Sequence, residues 1–124
     1  MLALFVLMAG AMAADLWYTT SFLTATHENL LRADSSIAAN EDNLDNPETV
    51  RLCQKANNEW EKGKKVLMML MHHNVVRTVD EKFVSLLQQV RLNNKEDACV
   101  TIKTLISYIK DLREENYPLP ANIF

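Results

Sequence analysis

The scarcity of chain-breaking residues constrains this sequence most. Gly stands only at positions 10 and 63, and Pro only at 47, 118 and 120. A meander of short strands needs Gly- and Pro-rich turns at short intervals, and a chain of 124 residues without them favours a few long helices. The length suits a single core. With the two glycines so far apart, neither a G-x-G-x-x-G turn nor a G-x-x-x-x-G-K loop can be built, so nucleotide is not an expected ligand. The net charge of -3 and the lack of a basic stretch interleaved with aromatics argue against nucleic acid as a partner.

Residues 1–14 (MLALFVLMAGAMAA) carry no charged side chain, and the first acid is Asp15. Fourteen helical residues span about 21 Å, short of the roughly 30 Å hydrocarbon core. Ala11-Met12-Ala13 offers an A-x-A cleavage pattern, but the basic residues that open an export signal are missing. Trp17 and Tyr18 follow in the manner of an interfacial aromatic belt, and helix-compatible sequence runs on to about residue 39. These features fit an uncleaved signal-anchor over residues 1–22 with the remainder outside the cytoplasm. Met1 then reads as an internal methionine, with an upstream start supplying the basic residues and the missing turns. A short buried core helix and a signal peptide cut after Ala13 are the alternatives.

Residues 23–116 read as a helical bundle. Leu23, Thr26, Leu30, Ala33 and Ile37 recur at three- and four-residue steps, with Leu31 and Ala38 widening the stripe, and this first helix is expected to end near Asn40. Asp45 or Asn46 precedes Pro47 as the cap of a second helix reaching about His73, with Val50, Cys53, Ala56, Trp60, Leu67, Leu70 and Met71 inward. Gly63 interrupts it at a cost of about 1 kcal/mol. Asn74 reads as its stop, and Thr78-Val79-Asp80-Glu81 as the capping box of a third helix carrying Val79, Phe83, Leu86, Leu87 and Val90. Asn93-Asn94 closes that helix. A fourth lines up Ala98, Ile102, Leu105, Ile109 and Leu112, flanked by Cys99 and Ile106. The expected fold is all-α, an up-and-down bundle of three to four helices with an N-terminal membrane-anchor or signal helix and an extended tail over 117–124.

Glu59-Trp60-Glu61-Lys62, His73, Thr78-Val79-Asp80 and the terminal Leu119-Pro120-Ala121-Asn122-Ile123-Phe124 resemble, in order and spacing, a small membrane-anchored helical family of Gram-positive bacteria, domain of unknown function 4363. The resemblance covers nearly the whole length, and the absent basic N-terminal residues depart from it. It implies an N-terminal membrane helix, a helical region and a hairpin, and supplies no activity.

Candidate chemistry is sparse. Met68 with His72 and Met69 with His73 share helix faces at i,i+4, and thioether plus imidazole suits Cu(I). Core methionines beside helix-capping histidines explain the same residues, and adjacent histidines point about 100° apart, so one site needs help from a segment such as His27. Cys53 and Cys99 lie on the apolar sides of helices two and four, expected to face each other; they form either one disulfide or two reduced core thiols. Trp60 reads as a ligand- or partner-stacking residue or as a half-buried bundle anchor. Lys62, Lys64 and Lys65 beside Glu59 and Glu61 read as a solvated face. Tyr117, Ile123 and Phe124 are candidates for engaging a protein partner's groove, or for packing over the bundle's open end. None of the five serines has a glycine-framed elbow or a nearby His, so no catalytic residue, enzyme activity or cofactor is expected. The expectation is a non-enzymatic interaction or structural module, single-pass in the cell membrane, with an envelope metal-binding protein as the alternative.

Overall fold

The computed structural model describes residues 2–40, 42–69 and 73–115, with the side chains of residues 11–16, 69 and 115 outside that description. Among the described residues there are four helices and no strand: α1 (Leu2–Ala39), α2 (Pro47–Met69), α3 (His73–Arg91) and α4 (Lys95–Glu115). Each helix packs on its two neighbours around a square, α1 on α2 and α4, α3 on α2 and α4. Tyr18 meets Lys62 and Ser36 meets Thr49, so α1 and α2 are antiparallel. Asp34 lies 3.5 Å from Lys103, and His27, two turns earlier, faces Arg113 and Lys110, so α4 is antiparallel to α1. The result is a bundle with α2 and α4 on one diagonal. The two cysteine-bearing helices therefore do not face each other, contrary to the sequence expectation.

The inward faces are largely those the periodicity marks. Leu23, Leu30, Ile37, Trp60, Leu67, Phe83, Leu86, Ile102, Leu105 and Ile109 are fully buried or nearly so. Leu31 and Ala38, expected to widen the α1 stripe, are instead exposed, because the neighbouring helices cover a narrower arc of α1 than its apolar sequence offers. Leu70 and Met71 lie outside the described residues.

Local chemistry sets the helix ends. Asn46 accepts from the Thr49 amide at 2.9 Å as the N-cap before Pro47. At the far end of α3, Asn93 adopts φ 55°, with Asn93 N donating to Val90 O and Asn94 N to Gln89 O. This pairing is a Schellman cap. The Asn93 side chain accepts from Leu44 N at 2.8 Å and donates to Asp42 O at 3.3 Å, tying the α1–α2 loop to the α3–α4 turn.

One boundary differs from the sequence reading. The second helix is described as far as Met69, and its expected end near His73 falls on residues 70–72, outside the described residues; α3 already includes His73, upstream of the expected start at Thr78. The expected capping box therefore lies inside a helix, where the Thr78 hydroxyl donates back to Asn74 O at 2.9 Å. Val76 is 2% exposed, so burial extends the apolar face of α3 a turn upstream of the box.

The α1 helix, at about 57 Å, is far longer than α2 at about 35 Å. Its first buried described residue is Thr19, and residues 2–10 are exposed on every side. Among the described residues no helix is long and apolar enough to cross a membrane.

Candidate functional site

The end of the bundle from which α1 emerges is organised by aromatic rings. Tyr18, Phe22, Trp60 and Phe83 follow one another across α1, α2 and α3 with centroid separations of 6.3, 6.1 and 6.4 Å. Trp60 is fully buried and its indole N–H donates to Asp80 Oδ1 at 2.7 Å. Lys64 reaches the same carboxylate at 3.3 Å and Glu61 at 2.9 Å. The hydrogen bond that Lys64 donates to Glu61 raises the Lys64 ammonium pKa above its ordinary value; burial opposes the rise, and the negative charge of Asp80 adds to it. Lys62 pairs with Glu59 at 3.2 Å.

Gly63 completes the junction. A Cβ there would clash with the Phe22 ring. The residue is thus a contact between α1 and α2 rather than the mild interruption its helix propensity suggests. Tyr18 donates to Lys62 O at 3.2 Å on the adjacent turn. Phe22, Gly63 and Tyr18 together fix the line along which α1 leaves the bundle.

Beyond this junction the helix is bare. Leu2, Leu4, Phe5, Val6, Leu7 and Met8 are 61–85% exposed, and Trp17 is 72% exposed. A helix apolar all round is ordinarily buried in a large core or in a membrane. This stretch gathers six exposed large apolar side chains within seven residues and is the main candidate for an interaction. Next to it on the outer face of α1, Trp17, Thr20, Ser21, Thr24, Ala25 and Glu28 line a shallow depression.

The other candidates are dispersed. Met68 is 39% exposed in the last turn of α2, and the Met69 side chain lies outside the described residues, as does His72. His73 opens α3 and is exposed, so the Met69–His73 pair does not share one continuous helix. Among the described residues no three His, Cys, Asp or Glu side chains cluster as for a metal ion. His27 sits on α1 opposite α4, where burial and then the charges of Arg113 and Lys110 lower its pKa, with Glu28 opposing.

Cys53 and Cys99 are both free, the first buried and the second half-buried. Burial pushes the Cys53 thiol up to about 12, so it stays protonated and unreactive near neutrality. Trp60 presents no face to solvent, and its role in the structure is the inner half of the aromatic series. Tyr117, Ile123 and Phe124 lie outside the described residues. Sequence reading missed Gly63, Asp80 as the partner of Trp60, and Asn93 as a link between loops. The i,i+3 and i,i+4 rules act within one helix, whereas each of these contacts joins two separate segments.

No curated protein and no solved structure matches the chain. The family described as domain of unknown function 4363 matches residues 17–123, which begin at Trp17 near the base of the bare helix and include all of α2, α3 and α4. The match takes in most of the chain, which therefore belongs to the family of domain of unknown function 4363.

Proposed function

We propose that this protein is a membrane-anchored helical module with a non-enzymatic interaction or structural role, held in the cell membrane as a single pass by the N-terminal part of α1, with the bundle outside the cytoplasm. The observation that carries the reading is the row of six large apolar side chains between Leu2 and Met8, each more than 60% exposed. Moving each from water into hydrocarbon is favourable by about 1.5 to 3 kcal/mol, so the row together gains on the order of 10 kcal/mol. Residues 2–16 make up about 22 Å of helix, most of the roughly 30 Å hydrocarbon core. Trp17 and Tyr18 then fall at the headgroup level, where amphipathic rings are favoured. The aromatic junction below them gives the bundle a fixed attachment to the anchor. The extracytoplasmic placement rests on the resemblance in motif order to membrane-anchored proteins.

The test is expression from the natural upstream DNA in a Gram-positive host, followed by fractionation, intact mass and protease shaving of whole cells. The expected result is an uncut membrane protein whose bundle is removed from outside. A protein recovered intact in the cytosolic fraction would refute the reading.

A further inference from the structure

The end of the bundle nearest the bare helix distributes its charges unevenly. Gly63 packs on Phe22, and Trp17 lies five residues, or about 7.5 Å of helix, nearer the anchor. On α2, Met68 is the same number of residues beyond Gly63 and stands about level with Trp17, with Lys65 about 4.5 Å behind it. On α3 the Lys64–Asp80 contact sets the register, and Arg77, three residues earlier, falls within about 2 Å of that level. Trp17 and Met68 are 72% and 39% exposed, and Lys65 and Arg77 are exposed as well. The stretches of this end, 17–21, 64–69 and 73–79, contain no acid. The acids behind them are occupied or distant: Asp80 accepts from Trp60 and Lys64, Glu61 pairs with Lys64 and Glu59 with Lys62. Glu81 on α3 and Glu114 on α4 stand about 7.5 and 9 Å behind Trp17. On the anchor side Asp15, whose side chain lies outside the described residues, brings one opposing charge.

We infer that this end of the bundle seats on an anionic phospholipid surface, with Trp17 and Met68 at the headgroup level and the Lys65 and Arg77 side chains on lipid phosphates. The inference rests on the anchored reading, which fixes where the surface lies, and adds the class of lipid that the bundle recognises. Trp17 combines an apolar body with a polar N–H, as the headgroup region favours. The long Lys65 stem covers its short distance from that level while its ammonium stays at the phosphates. At about 0.1 M salt a charge acts over about 10 Å, which includes Lys65 and Arg77. Lys55, about 20 Å behind Trp17 on α2, lies beyond that reach. The chain as a whole carries a net charge of -3 and is repelled by an anionic surface, so any attraction to one comes from a local patch such as this.

The test compares partitioning of the full chain onto phosphatidylcholine vesicles and onto phosphatidylcholine–phosphatidylglycerol vesicles. Each charge near such a surface changes binding about fivefold, and Lys65 and Arg77 less Asp15 leave one net positive charge. The parent is therefore expected to bind the mixed vesicles about fivefold more tightly than the neutral ones, and high salt to remove the difference. Lys65→Gln and Arg77→Gln should each lose about fivefold on mixed vesicles alone, while Lys55→Gln behaves as the parent. Equal binding of the parent to both vesicles, or Lys65→Gln and Arg77→Gln variants that match Lys55→Gln, would overturn the seat and leave the anchor standing. Binding to mixed vesicles alone, lost in Lys65→Gln and Arg77→Gln, keeps the seat and refutes the anchor; binding to neither refutes both. Glycerol 1-phosphate in solution is expected not to compete, and displacement by it would assign a site for free phosphate and overturn the lipid surface.

Discussion

Within one helix the chain treats apolar residues in two opposite ways. Between Thr19 and Ile37, α1 buries a single stripe, and Leu23, Leu30, Ala33 and Ile37 are fully enclosed by its neighbours. Between Leu2 and Met8 it carries apolar residues on all sides, with no partner helix beside them among the described residues. The contrast shows what periodicity encodes: a stripe specifies a neighbour within the fold, whereas an apolar surface without a stripe specifies an environment. On the proposed reading, the buried half contributes to stability and the bare half to location. Substitutions in the two halves should therefore be read by different measurements.

The strongest way to break that division is at the junction between the halves. Trp60→Ala removes the central ring of the aromatic series and leaves Asp80 without its indole donor, and a loss of about 3 to 5 kcal/mol is expected from denaturant midpoints. Gly63→Ala should destabilise by about 1 to 3 kcal/mol, despite the better helix propensity of Ala, because the added methyl would clash with the Phe22 ring. A stabilising Gly63→Ala would refute the close approach of α1 to α2. Far from the junction, Asn93→Ala is expected to cost about 1 to 2 kcal/mol, through two lost hydrogen bonds and a left-handed φ that suits Asn. Asn93→Gly should recover the part owed to backbone strain.

The smallest effect concerns pH. Because His27 has a lowered pKa in the fold, the unfolded chain binds more protons at this site as pH falls through the ordinary histidine value near 6.5. Stability should therefore rise with pH across the window just below that value and level off above it. His27→Gln is expected to flatten this part of the profile in thermal unfolding between acidic and neutral pH. An unchanged slope would show that burial and the approach of Arg113 and Lys110 do not burden the imidazole.

Much of the bundle is legible in the sequence because its inward faces follow helical spacing and its breaks carry standard caps: Asn46 before Pro47, and Asn94 before Lys95, are local features acting over three or four residues. The start of α3 is not legible in this way. Thr78 and Glu81 have the sequence of a good local cap, but Val76 is buried upstream, and tertiary burial outweighs a cap worth about 1 kcal/mol. Leu31 and Ala38 illustrate the converse, as apolar residues beside a stripe that no neighbouring helix covers. Of the candidate surfaces, the bare N-terminal stretch is legible from its unbroken apolar run. The base that orients it is not, since Phe22 over Gly63 and Trp60 against Asp80 join positions 41 and 20 residues apart with no pattern in common.

The account's central claim is that the bare half of α1 determines location while the bundle folds independently of it. Co-flotation of the full chain with phosphatidylcholine–phosphatidylglycerol vesicles, compared with a Phe5→Asp, Leu7→Asp double variant, tests this directly. Both side chains are more than 70% exposed, so the variant should unfold within about 0.5 kcal/mol of the parent. The account predicts that the parent floats with the vesicles and the double variant stays in the aqueous fraction. Equal partitioning of the two proteins, or loss of the folded bundle in the variant, would contradict it.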